Sequence, residues 1–242
     1  MKIILTLFFS NLIFFNLIND ILASTDVTDK SIHPKKVKIE SHFPFAKVDH
    51  VEGKTSYLTP GTKDPLDLTK DQIIYSDTSL EVKEYGEISL ELFNTKNLQF
   101  DRKIKIGASS VVRVFRNKLT EHQVDLLTGH IHVIEKNDKK SDTSSLTIRT
   151  QEAHIIPQKS QILIIYNPLL HQTNLFVKEG TSSFFHKDYP SKLKVISQGN
   201  YAILPGNTVQ IKIQDKLSTK EREKITKEFN LKPQELNSDQ KL

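Results

Sequence analysis

The sequence of 242 residues contains no cysteine. A chain without cysteine forms no disulfide, offers no thiolate to a metal or to catalysis, and lacks the attachment point of a bacterial lipoprotein anchor. Two other patterns are also missing: a Gly-x-Ser-x-Gly elbow that would expose a serine nucleophile, and a glycine-rich phosphate loop. The sequence therefore predicts no enzyme, no catalytic residue and no cofactor.

Neither sign of charge is in large excess. The chain has 34 Lys and Arg against 29 Asp and Glu, a formal net charge of +5. The one dense basic run, His33 to Lys38, comes before the first expected strand. Scattered basic residues predict no nucleic-acid partner and are more typical of contact with an anionic envelope surface.

The N-terminus has the layout of a secretory signal peptide. Met1 and Lys2 give a short positive start, Ile3 to Leu22 is mostly apolar, and small residues surround Ala23. Polar residues such as Asp20 count against a membrane-spanning helix. We expect removal of residues 1–23, no transmembrane helix in the mature chain, and export to the periplasm or cell surface of a bacterium.

Three further segments follow from the apolar pattern. Residues 24–44 read as a flexible linker, because prolines interrupt them and no apolar period is present. Residues 45–213 form one β-rich domain. Residues 214–242 begin with a capping-box pattern at Ser218 to Glu221 and predict a charged short helix followed by a disordered tail.

Alternating apolar and polar residues dominate the central domain. Ile88 to Leu92 is a clean period-2 strand, and Ile162 to Tyr166 is the most apolar strand, so it should be central and covered on both faces. No long helical segment is available for parallel crossovers. The prediction is an all-β fold of many short antiparallel strands, arranged as a sandwich or barrel or as a short β-solenoid.

One phrase recurs in the second half of the chain. An alternating strand ends in polar residues and a glycine, and another strand starts at once, at Gly129, Gly180 and Gly199. Glycine adopts positive φ without a Cβ clash, so each phrase predicts a tight bend or bulge between two strands.

The order of these phrases resembles the FecR domain, the periplasmic β-rich module of bacterial FecR-type sensor proteins. The resemblance covers about Ala46 to Gly206, two thirds of the chain. It is carried by Val51–Thr55, Ile74–Ser79, Ile106–Ser110, Leu126–Val133, Ile148–Ala153, Val177–Ser182 and Gly199–Ala202.

The resemblance implies a non-enzymatic binding, scaffolding or signalling module that contacts an envelope protein or peptidoglycan. Two departures stand out: Gln151 replaces a usual proline, and Gln158 to Ser160 replaces Arg-Gly-Thr. A bend made with glycine in the family is therefore made differently here, or the loop is reshaped. The helical cytoplasmic domain and internal membrane helix of full FecR sensors are not seen, so we do not expect classical sigma-factor binding. The oligomeric state is left open.

Two rival functions make testable demands. His130 and His132 lie two apart on a strand and share a face, so with His154 or Glu135 they could form a metal site of a β-barrel enzyme. A lipid-carrier jelly roll resembling lipopolysaccharide-transport proteins would need an open apolar groove, which a filled core at Ile162 to Ile165 would reject. A sugar platform of Phe184, Phe185, Tyr189 and Tyr57 is less favoured than core packing of the phenylalanines.

Overall fold

A computed structural model describes residues 43–93, 102–118, 120–135 and 145–214, together with Glu223. These residues belong to one compact unit, Ser41–Leu242. The predicted signal peptide, most of the linker, residues 136–144, and the predicted C-terminal helix and tail apart from Gln214 and Glu223 lie outside the described residues.

The described residues are nearly all β, which confirms the predicted fold class. They form fifteen strands and one short 3₁₀ helix, Pro190–Lys192. The strands are β1 (Pro44–Glu52), β2 (Thr55–Leu58), β3 (Leu66–Asp67), β4 (Ile73–Tyr75), β5 (Thr78–Val82), β6 (Glu87–Leu92), β7 (Arg102–Ile106), β8 (Ser110–Lys118), β9 (Glu121–Glu135), β10 (Ser145–Arg149), β11 (Ala153–Asn167), β12 (Gln172–His186), β13 (Lys194–Ser197), β14 (Tyr201–Leu204) and β15 (Lys212–Gln214).

Backbone pairing joins these strands into a single mixed sheet. Among the described pairs, β9 and β10 run parallel and the others antiparallel. A solenoid would stack most of its strands in parallel, so the predicted short β-solenoid is wrong and the sandwich-like alternative holds.

Three strands of fifteen residues each hold the sandwich together. The first half of β9 pairs with β8 and β10, and its second half pairs with β7 and β11. β11 and β12 change neighbours in the same way, so each long strand passes from one layer to the other. Layer A has the order β3-β2-β5-β8-β9-β10-β11-β12-β13, and layer B has the order β4-β1-β6-β7-β9-β11-β12-β14-β15.

The bend in β9 lies at Gly129, which has φ +88. Inward-facing side chains change parity there, from Leu126 before the bend to Ile131 after it. A Cβ on Gly129 would lie 2.6 Å from the Cα of Ser110, so only glycine fits. The predicted bend is confirmed, but the separate second strand is wrong, because β9 continues through the glycine.

The bends of β11 and β12 lie against each other. Lys159 takes φ +49 in β11 and Gly180 takes φ +74 in β12. A Cβ on Gly180 would collide with the carbonyl oxygen of Lys159. The bend at Gln158 to Ser160 is thus made without glycine, because Lys159 adopts the left-handed conformation there. Gly199, at φ +78, lies in the turn between β13 and β14, which both pair with β12 and not with each other, so the chain bends there without forming a hairpin.

The space between the layers is filled by one apolar cluster. Ile162 and Ile164 are fully buried in it, and Leu163 on the other face of β11 is also buried. β11 pairs with β9 and β12 on its two sides, as predicted for the most apolar strand. The groove that a lipid carrier requires is not found between the described strands.

Two segments near the ends of the domain are irregular. The turn at Gly53 leads β2 away from β1 and into the other layer, where β2 pairs with β3 and β5. The last strand is limited to Lys212–Gln214. A turn holds the preceding segment, since the N–H of Thr208 donates to the carbonyl of Pro205 at 3.2 Å.

Candidate functional site

The two histidines singled out in the sequence lie on one outward face of β9. Ile131 and Val133 are buried on the opposite face, as the alternation predicts. Burial lowers the pKa of His130, and its ring lies where a Cβ of Gly107 would otherwise be. Burial and the charges of Lys105 and Lys178 lower the pKa of His132 to about 4. Such neighbours repel a metal cation.

The other proposed metal ligands lie elsewhere. Glu135 pairs with Arg102, with 2.7 Å between Oε1 and Nε, and its Oε2 accepts from the N–H of Ser160 at 3.3 Å. His154 pairs with Phe185 across β11 and β12, eleven residues from Ile165, the partner of His130. Among the described residues no three His, Asp or Glu side chains are placed to hold a metal. The histidine pair and Glu135 are therefore not brought together with His154.

A cleft of about 450 Å³ opens where the two layers separate. It lies between the β10–β11 turn of layer A and the last residues of β11 in layer B, with the bend of β9 forming its side. The lining residues are Asp125, Leu126, Leu127, Arg149, Thr150, Gln151, His154, Tyr166 and Lys187. Volume and mixed lining are typical of small-ligand sites.

Three polar contacts hold the mouth of the cleft across the two layers. The hydroxyls of Thr150 and Thr173 lie 2.7 Å apart. The Tyr166 hydroxyl donates to Oε1 of Gln151 at 3.2 Å. Glu152, which is buried, lies 3.0 Å from Nδ1 of His171 on the β11–β12 hairpin. These contacts fix the geometry of the opening.

The β10–β11 turn is built by the Thr150–Ala153 segment. Its backbone closes through the N–H of Thr150 donating to the carbonyl of Ala153 at 2.9 Å. Oγ1 of Thr150 accepts from the N–H groups of Glu152 and Ala153 at 3.3 and 3.0 Å. Threonine hydroxyls commonly satisfy turn backbones in this way. The segment that carries part of the FecR resemblance is thus a turn-forming motif.

An ion pair forms one wall of the cleft. Nε and Nη2 of Arg149 donate to the two oxygens of Asp125, each at 2.7 Å. Nε2 of Gln123 adds a third hydrogen bond to Asp125 at 3.0 Å. The bidentate geometry raises the pKa of Arg149, through the hydrogen bond to Asp125 first. The guanidinium is therefore held at a fixed orientation.

Two titratable groups respond to this environment. Burial, and then the charge of Arg149, lowers the pKa of His154, and Lys187 acts in the same direction. His154 is therefore neutral at neutral pH. Burial raises the pKa of Tyr166 to about 12, and the nearby carboxylate of Glu152 adds to this shift. The hydroxyl of Tyr166 thus stays protonated and acts as a donor.

The β11–β12 hairpin beside the cleft ends in two exposed leucines. Leu169 is 90% exposed and Leu170 is 64% exposed. Oδ1 of Asn167 accepts from both of their N–H groups, at 3.0 and 3.3 Å. His171 follows at φ +49 and packs against Gly206. Both leucines are therefore exposed apolar side chains on a turn that is closed by its own hydrogen bonds.

Sequence reasoning did not find this site. Arg149, Lys187 and Tyr166 are far apart in the chain, and none belongs to a motif with its own chemistry. The usable signals were the Thr150–Ala153 segment and Asn167, which ends the most apolar strand. The sugar platform is not formed as suggested, because Phe184 is fully buried in the core and Tyr57 packs partly against it.

Comparisons with known proteins give two weak structural similarities and no family. No family model and no curated protein matches the chain. Two crystal structures of a "putative anti-sigma factor" from Parabacteroides distasonis ATCC 8503 match with a TM-score of 0.46 and 11% identity. Each match covers 57% of this chain and 59% of that protein, so the chain spans less than two thirds of the structures it matches. The FecR resemblance stays a prediction.

Proposed function

We propose that this chain is an exported, non-enzymatic bacterial envelope protein that binds a partner protein through the hairpin tip and the cleft beside it. The N-terminal signal-peptide pattern and the FecR-like order of motifs support export and a binding role. None of the helical segments in the described part has the length and apolar character of a membrane span.

The exposed pair Leu169 and Leu170 is the observation that carries the proposal. An isolated exposed leucine is common on protein surfaces, but two adjacent ones on a hydrogen-bonded turn are not required by the fold. The cleft next to them is concave and contains charged and neutral donors. An apolar tip beside a polar concavity fits a folded protein surface better than a lipid surface, which would favour an apolar patch ringed by basic residues.

The glycines of the FecR-like phrases support the scaffold and not the site. Gly53, Gly129, Gly180 and Gly199 all have positive φ, so each is explained by backbone geometry. Binding must therefore reside in the side chains that this scaffold positions. Those side chains belong to the β10–β11 turn and the β11–β12 hairpin.

Site-specific photocrosslinking in the native envelope tests the proposal. A photoreactive amino acid at Leu170 should give a discrete crosslinked protein, and the yield should fall when Leu169 is changed to Ser. Tyr85 is the matched control, because it is 91% exposed on a different turn. The proposal is overturned if both positions capture the same abundant neighbours, or if the chain sediments with purified peptidoglycan and gives no protein crosslink.

A further inference from the structure

The acceptors in the cleft wall are already occupied. The carboxylate of Asp125 receives three N–H groups, from Arg149 and Gln123. Oγ1 of Thr150 accepts two backbone N–H groups and contacts Thr173. Oε1 of Gln151 accepts the Tyr166 hydroxyl. A ligand that brings donors would find few groups with which to pair.

Donors remain available in the same wall. Nη1 of Arg149, Nε2 of Gln151 and Nζ of Lys187 have no partner among the described residues. Arginine has five N–H donors, so a bidentate pair with one carboxylate leaves capacity for a second acceptor. The cleft therefore presents three donor groups that no described residue pairs.

The net charge of the side chains that line the cleft is positive. Arg149 and Lys187 are positive and Asp125 is the one carboxylate among the lining residues, which leaves one net positive charge in the lining. The carboxylate of Glu152 at the mouth is paired with His171, 3.0 Å from its Nδ1. Leu127, which is half exposed, supplies an apolar surface beside these groups. The lining thus combines cationic donors with an apolar surface.

We propose that the cleft binds the carboxylate of a short peptide segment of the partner. The carboxylate contacts Arg149 and Lys187, and an apolar side chain next to it in the peptide packs against Leu127. The planar guanidinium, fixed by Asp125, matches a carboxylate plane. This inference rests on the proposed function, since it assumes a protein partner, but it names the group that is recognised.

Fluorescence anisotropy with the full mature chain tests the proposal. The probes are fluorescein-labelled tetra-alanine with a free carboxylate and the same peptide with an amidated C-terminus. The free carboxylate should bind at least about tenfold more tightly, because charge-assisted hydrogen bonds are lost in the amide. Equal affinity of the two peptides would overturn the proposal.

Two variants that change the charge of the cleft in opposite directions extend the test. Lys187→Gln should weaken the free peptide about three- to tenfold, because it removes a charge and a donor. Asp125→Asn should strengthen it, because the competing anion is removed while the asparagine Oδ1 can still accept from Arg149 and keep the guanidinium oriented. Lys63→Gln and Asp64→Asn make the same charge changes at exposed positions outside the cleft lining. Effects of equal size in cleft and control variants would reduce the binding to net charge and overturn the site.

Competition separates the possible anions. Acetate should displace the peptide at lower concentration than inorganic phosphate does if a carboxylate is recognised. The reverse order assigns the cleft to a phosphate and rejects the peptide carboxylate. Loss of peptide binding while the Leu170 crosslink persists would reject this inference and leave the proposed function standing. Peptide binding without any crosslink at Leu170 would reject the proposed function and leave the carboxylate site standing.

Discussion

Replacing Gly129 with alanine should be far more destabilising than replacing Gly61, although both glycines have nearly the same positive φ. Their φ angles are +88 and +85. A Cβ on Gly61 meets no atom within 4 Å, whereas one on Gly129 lies 2.6 Å from Cα and 2.7 Å from Cβ of Ser110. Alanine would be strained by the positive φ at both sites, but only at position 129 would its Cβ also collide with a neighbouring strand.

The expected magnitudes follow from these two contributions. The left-handed conformation costs a non-glycine residue about 1–2 kcal/mol. Forcing apart two packed strands adds about 1–3 kcal/mol, since backbone atoms of Ser110 must move. We expect a loss in the free energy of unfolding of about 1–2 kcal/mol for Gly61→Ala and about 2–5 kcal/mol for Gly129→Ala.

Urea denaturation followed by circular dichroism measures both values on the same protein preparation. A Gly129→Ala variant too unstable to show a folded baseline would agree with the upper end of the range. Equal losses for the two variants would refute the reasoning, because the close contact between β9 and β8 would then have no energetic weight. The bend of β9 would be a tolerant loop and not a packed corner.

Three further outcomes are expected. Burial, with the charges of nearby arginines, lowers the pKa of His122 to about 3, so His122 takes up a proton at higher pH in the unfolded chain than in the folded one, and stability should be lost as pH falls from 6.5 towards 3. In His122→Leu, the stability lost between pH 7 and pH 4.5 should be smaller by about 2.5 kcal/mol, measured by urea denaturation at each pH. Equal pH dependence in the variant and the wild type would exclude His122 as the cause. Ile164→Ala should cost about 2–5 kcal/mol in the same assay, whereas Leu169→Ala should cost less than about 0.5 kcal/mol, and similar costs would contradict the assignment of core and contact surface. Thr150→Val should lower the unfolding free energy by about 1–3 kcal/mol by removing the hydroxyl shared with Thr173, and a thermal shift matching wild type would show that this cross-layer contact is dispensable.

Local sequence pattern predicts the strands well because each alternation reports one buried face. Ile88 to Leu92 and Ile162 to Tyr166 both form strands of the sandwich. The same pattern cannot show whether a strand continues through its glycine or is interrupted there. Gly129 and Gly199 have similar positive φ, yet one lies inside a continuous strand and the other ends one. The difference depends on distant partners, since β9 after Gly129 pairs with β7 and β11 and not with its own first half.

The candidate site is harder to predict because contacts between separate elements create it. Arg149 acquires its orientation from Asp125 on β9, and Gln151 from Tyr166 at the far end of β11. Spacing along the chain contains no trace of these pairs. The histidine pair shows the opposite case: its spacing correctly predicts a shared face, but the neighbours that decide its chemistry, Lys105 and Lys178, come from other strands.

The passage of β9, β11 and β12 through both layers has a consequence for how the molecule comes apart. A conventional sandwich can lose one sheet first, because its two sheets meet mainly through side chains. Here the sheets share continuous backbone, so detaching either one breaks main-chain hydrogen bonds in the other. Unfolding should therefore be a single cooperative event, with amide protons of both layers exchanging through the same global opening.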